Sequence, residues 1–427
     1  MNPLHHSTRG RRARRASLAV AAVASSALLL TACSVGSGET PSGGSGTTGA
    51  SAGTSAGTEV DSAQPRIALT YDGGLYVLDG ETLETEADLD LAGFNRLNAS
   101  GDGRHVLVST GGGWQVLDTG TWTAADGSHR VAEPALTDLV FAGDTPGHVV
   151  RHGGRTILFA DGTGDTTVFE TADLLDTSGG LPETETIESP EAHHGVSIEL
   201  EDGTLLTTIG TPDERTGVRA LDADRSEIAR SEECPSVHGE GTAADEVVVF
   251  GCTDGVLLYD DGAFTKIDAP DAYGRTGNAY VTDTSSIAVG DYNSDPDSEG
   301  YLLSSLVLTD TVAKTATVVD LPEGVTYTWR DVARGPDDEI LLLGSDGALH
   351  VLDETTGTET ASYPLIDAWE SPVEWQDAHP ALVVQGGTAY VTDTAASSIH
   401  AVDVATGELL ASAELPEVPN EIAVVTG

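Results

Sequence analysis

One short pattern recurs along this chain and limits its fold more than any other feature: two apolar residues, an acid, then turn residues. It appears as Val77-Leu78-Asp79, Val116-Leu117-Asp118, Ala220-Leu221-Asp222, Leu258-Tyr259-Asp260, Val351-Leu352-Asp353 and Ala401-Val402-Asp403. Val307-Leu308-Thr309-Asp310 is a stretched copy and Val168-Phe169-Glu170 a weaker one. The copies lie about 46 residues apart, and each follows an apolar strand and a glycine turn, as in Ile340–Asp353. Short alternating strands repeating every 40–50 residues are the mark of β-propeller blades, each too thin to bury both of its faces alone. The reading is all-β: a single β-propeller of eight blades, or seven if the blurred boundaries between residues 95 and 190 conceal one fewer. Two stacked β-sandwiches are the alternative and fit the period less well. The last segment, Asn420 to Gly427, reads as a lone strand that completes the first blade and closes the ring, which removes exposed sheet edges.

The propeller is expected over residues 66–427. Residues 1–33 read as a lipoprotein signal peptide: Arg9, Arg11, Arg12, Arg14 and Arg15, then an apolar run from Ala16 to Leu30. It ends in Leu30-Thr31-Ala32-Cys33, which resembles the lipobox of bacterial lipoproteins, so Cys33 is the expected lipidation site. Residues 34–65 are Ser, Gly, Thr and Ala with little to bury, and read as a disordered tether. The resulting expectation is an exported monomer, anchored by lipid to the outer face of the cell membrane and otherwise free of it.

The net charge of −49 argues against a nucleic-acid partner, whose phosphates it would repel. Besides Cys33 the chain has two cysteines, Cys234 and Cys252. In an oxidising compartment a disulfide between them is expected, contributing roughly 3 kcal/mol by loop entropy. A pair of thiolate metal ligands beside His238 is the rival reading.

Histidines recur with the blade period. His148 and His194 are 46 residues apart, and His194 and His238 are 44 apart, with His193 and His152 as companions. Equal spacing in a repeat fold brings such residues to equivalent places in adjacent units. His194 and His238 each precede a glycine and then an apolar strand (Gly195–Leu200 and Val247–Phe250), and His148 begins its own apolar run. All three are therefore expected at the entrances of inner strands, near one mouth of the central channel. Imidazoles gathered there suit zinc, with a carboxylate such as Asp144 or Glu240 to complete or orient the site. No nucleophile motif and no glycine-rich phosphate loop argues for an enzyme.

Three strings carry a family likeness: Pro146-Gly-His-Val-Val-Arg-His152, His193-His194-Gly-Val196, and Cys234-Pro-Ser-Val-His-Gly-Glu240 with Phe250-Gly-Cys-Thr-Asp-Gly255. With Pro270–Arg275 and Gly290-Asp-Tyr292, they resemble the zinc metallochaperone AztD family from about residue 66 to the end. The resemblance implies an exported β-propeller that binds zinc and passes it to the solute-binding protein of a zinc ABC importer. It places the metal on His148, His194 and His238, with His193 as companion. Some members of that family carry a His-rich N-terminal stretch, which the tether here lacks. The competing reading is a non-catalytic interaction or adhesion lipoprotein in which the histidines are incidental.

Overall fold

The computed structural model describes residues 57–298 and 301–427. The expected signal peptide, Cys33 and the first part of the tether lie outside the described residues. No helix among the described residues is long and apolar enough to cross a membrane.

The described residues form eight sheets of four antiparallel strands in a row, with three short 3-10 turns as the only helical elements. Within most sheets the strands follow one another in sequence, as a meander. The recurring acid closes the turn after the third strand. Asp79 accepts from the amides of Glu81 and Thr82, Asp353 from those of Thr355 and Thr356, and Asp310 from those of Val312 and Ala313. This local carboxylate-to-backbone bonding explains why the acid returns with the blade period.

Each sheet buries apolar residues against the next. Val77 and Val106 share a core between the first and second sheets, Trp114 and Phe169 between the second and third, and Leu341 and Val391 between the seventh and eighth. The eighth packs on the first through Tyr390, Ile399, Ile67 and Tyr76. The outer strands alternate, as in Thr85–Leu91, where acids face solvent and Ala87 and Leu89 pack inward.

The last strand, Ile422–Val425, joins the first sheet. It pairs antiparallel with Arg66–Tyr71 as the innermost strand of the first sheet, with Arg66 opposite Val425 and Leu69 opposite Ile422. The end of the expected tether is also structured. Thr58–Val60 pairs with His129–Val131, which pairs in turn with Thr121–Thr123, so this part of the chain forms a small ninth sheet. Its composition gave no apolar signal because these bonds are to backbone; Gly57 lies so close that a Cβ there would fall 2.5 Å from the Trp122 ring.

Candidate metal centre

The inner strands of the third and fifth sheets are Pro146–His152 and His238–Thr242, and that of the fourth is Ser197–Glu199. His148 and His238 sit at the start of theirs, and His194 in the loop just ahead of its own. The strand Val248–Cys252, expected to be inner, is the second of its sheet. The true inner strand reads His-Gly-Glu-Gly-Thr. Space explains its glycines: Gly239 has φ +69°, and a Cβ on it would lie 2.5 Å from the Gly277 carbonyl oxygen.

These three segments bring His148, His194 and His238 together. One ring nitrogen from each lies within 4.8 Å of the others, and the ring centroids are 5.0–5.4 Å apart. His194 Nδ1 is 2.6 Å from Asp161 Oδ2, and His238 Nδ1 bonds to the Gly277 carbonyl. Neither a carboxylate nor a carbonyl oxygen can donate, so in the neutral imidazole Nδ1 carries the proton and Nε2 the lone pair. His148 Nδ1 lies 3.6 Å from Glu240 Oε2. Both His194 and His238 thus have the orientation of metal ligands held by an oxygen behind the ring. Burial, then the neighbouring His148, holds the His238 imidazole well below the usual range, so it stays neutral.

Four histidines were expected here, and three converge. His193 is buried with both nitrogens engaged: Nδ1 with the Glu191 carbonyl at 3.0 Å and Nε2 with the Thr208 hydroxyl at 3.1 Å. Its ring meets Phe159 edge-on, away from the cluster. His152, at the far end of the strand that starts near His148, pairs with Glu246 at 2.6 Å. Of the two carboxylates considered, Glu240 stands behind His148, whereas the Asp144 side chain accepts from its neighbour Thr145.

Sequence reasoning missed Asp161. It occupies the turn after Arg155–Ala160, and because Ala160 pairs with Pro146, that turn falls beside Gly147-His148. A Cβ on Gly147 would come 2.3 Å from Asp161 Oδ1, so the glycine before His148 makes room for the carboxylate that holds His194. Asp161 Oδ1 itself is buried without a partner. The signal lay in the Pro-Gly-His string, but reading it required the strand register.

Cys234 and Cys252 form a disulfide with Cα atoms 4.9 Å apart. Cys234 lies four residues before His238, and Gly251, next to Cys252, pairs with His238. The crosslink therefore fixes the start of the strand that carries His238.

The cluster opens into a cavity of about 910 Å³, lined by inner-strand starts such as Leu97, Pro146, His238, Ala279 and Leu382. Glu421, just before the last strand, also lines it. Arg66 and Val425, by contrast, are at the other end of the first sheet. Residues 57–65 thus join the domain at the end away from the histidines.

No family model matches the chain. The zinc chaperone AztD of Citrobacter koseri is 22% identical over 366 residues, covering 82% of each protein. Two solved structures of that protein, one of them the apo form, superpose with a TM-score of 0.71 at 20% and 21% identity, covering 86% of this chain and 99% of theirs. A dihydro-heme d1 dehydrogenase, NirN, follows with a TM-score of 0.53 and 11% identity, over 84% of this chain and 74% of its own. These likenesses give the fold as that of a β-propeller. In sequence and in fold, the chain resembles the zinc chaperone AztD.

Proposed function

We propose that this chain is an exported zinc carrier: an eight-bladed propeller, closed by its C-terminal strand, that binds zinc through His148, His194 and His238. It then delivers the metal to the solute-binding protein of a zinc ABC importer. The observation that carries the reading is the convergence of three imidazoles from three successive sheets, two of them with Nδ1 committed to an oxygen behind.

The donor set suits the ion. Zinc–nitrogen bonds of about 2.0–2.1 Å place tetrahedral ligand nitrogens roughly 3.4 Å apart, and nitrogens already within 4.8 Å of one another reach that spacing by small ring rotations. Three protein ligands leave a fourth position open at a cavity mouth. An incoming donor from an acceptor can join there before a histidine leaves, so transfer needs neither a redox change nor an empty-handed intermediate. Imidazoles compete with protons for the metal, so release is favoured in acid.

We read Cys33 as the lipid anchor. Residues 57–65 join the domain at the end opposite the histidines. The role is carriage, not catalysis, and the chain works as a monomer.

The test strips the chain of metal and titrates zinc into wild type, His194→Ala and His238→Ala. One tight site, lost in both variants, and loss of zinc from the loaded protein to a zinc-free solute-binding protein are expected. Weak binding without fixed stoichiometry, unchanged by either substitution, would mean adsorption to the acidic surface and an interaction scaffold instead.

A further inference from the structure

The same cavity holds a second constellation that the histidines do not use. Arg96, just ahead of the inner strand of the second sheet, reaches across to aromatic residues of the seventh and eighth. Its guanidinium carbon lies 4.8 Å from the centre of the Trp329 ring and 5.8 Å from that of Trp375. Phe94 meets Trp375 edge-on at 5.3 Å, completing an aromatic frame. Arg96 Nε is 3.3 Å from Glu421 but is buried without a hydrogen bond, and its terminal amino groups make none among the described residues.

Glu421 is already engaged by Arg330, whose guanidinium also donates to Asn420. Two arginines therefore face a single carboxylate, leaving a local excess of positive charge here, while the cavity's other acids, Asp161 and Glu240, stand against His194 and His148. The neighbouring Asp331 does not cancel it, because burial pushes its carboxyl up to about 8 and keeps it neutral at pH 7.

We propose that the cavity contains a subsite at Arg96 for the carboxylate of a small organic acid. A guanidinium lying over two indole rings is held in position with its terminal amino groups free, and that fork matches a carboxylate. The low-dielectric walls strengthen the attraction. The volume of about 910 Å³ suits a small molecule, and Trp375 with Phe94 offers apolar cover for its carbon skeleton. The subsite stands whether or not the histidines hold a metal. If Arg96 were only a fastener for the loop carrying Trp375, it would give no response to an added acid.

The test uses metal-free, purified full-length chain and succinate, followed by tryptophan fluorescence, since Trp329 and Trp375 are two of the five tryptophans. Saturable change is expected, weakened at least tenfold in Arg96→Gln and retained in His238→Ala. Arg96→Lys keeps the charge without the fork and is expected to fall between. Near-ultraviolet circular dichroism checks that each variant is folded. An absent response in folded wild type, or an equal response in folded Arg96→Gln, overturns the proposal.

Discussion

Asp161 Oδ2 and His194 Nδ1 meet at 2.6 Å across the boundary between the third and fourth sheets, linking a turn of one to the loop that opens the other. The contact sets which imidazole nitrogen carries the proton and where the ring points. Asp161→Ala leaves the ring free to rotate and to change tautomer. Zinc affinity is expected to fall about 10–100-fold with the stoichiometry unchanged, as for other residues that stand behind a metal-bound histidine. Competition titration with a chromogenic chelator measures this, and an unchanged affinity would remove Asp161 from the site. Gly147→Ala is expected to act in the same direction, because its new Cβ would fall 2.3 Å from Asp161 Oδ1.

Adjacent histidines are expected to behave as opposites. His193→Ala removes a buried ring and leaves the Thr208 hydroxyl and the Glu191 carbonyl without it, so it should cost about 1–3 kcal/mol of stability. Zinc stoichiometry should survive. His194→Ala should lose zinc with little change in stability, since 43% of its side chain is exposed. Denaturant unfolding beside zinc titration separates the two; loss of zinc in folded His193→Ala would return that residue to the metal.

That contrast also marks the limit of what the sequence made legible. The period of the acid-bearing turns and the 46- and 44-residue histidine intervals are set by the repeat itself, so they placed the three rings on successive inner-strand entrances. The choice between His193 and His194 depends on which way a loop residue points, and no periodicity reports that. The inner strand His238–Thr242 was hidden because close approach near Gly277 demands glycine where a strand usually shows apolar residues. Asp161 was hidden because it belongs to the site only through the pairing of Ala160 with Pro146. Thr58–Val60 read as tether because it is held by backbone pairing and by the ion pair of Glu59 with Arg130, not by an apolar run.

Removing the disulfide should touch both stability and zinc. Cys234→Ser with Cys252→Ser opens the crosslink that pins the start of His238–Thr242 to Val248–Cys252. A stability loss of about 2–4 kcal/mol is expected from the freed unfolded chain. Zinc affinity should also weaken, since His238 follows Cys234 by four residues. Thermal unfolding and zinc titration of the double variant test this; an unchanged affinity would show that the bond from His238 to Gly277 holds the ring unaided.

His379 gives a pH dependence that does not involve the metal. It is buried, its Nδ1 bonds to the Asp377 carbonyl, and its Nε2 has no partner. Burial, reinforced by nearby Arg330, lowers its pKa from 6.5 to about 4. Between those values the unfolded chain takes up a proton at this residue and the folded chain does not, so folding loses stability as pH falls from 6.5 towards 4. The loss amounts to about 3 kcal/mol across the window and is complete below it, where both states are protonated. His379→Gln cannot titrate. Denaturant unfolding of metal-free wild type and variant from pH 7 to pH 4 should therefore show a shallower decline in the variant. Parallel declines would mean that the acid sensitivity of this fold arises elsewhere.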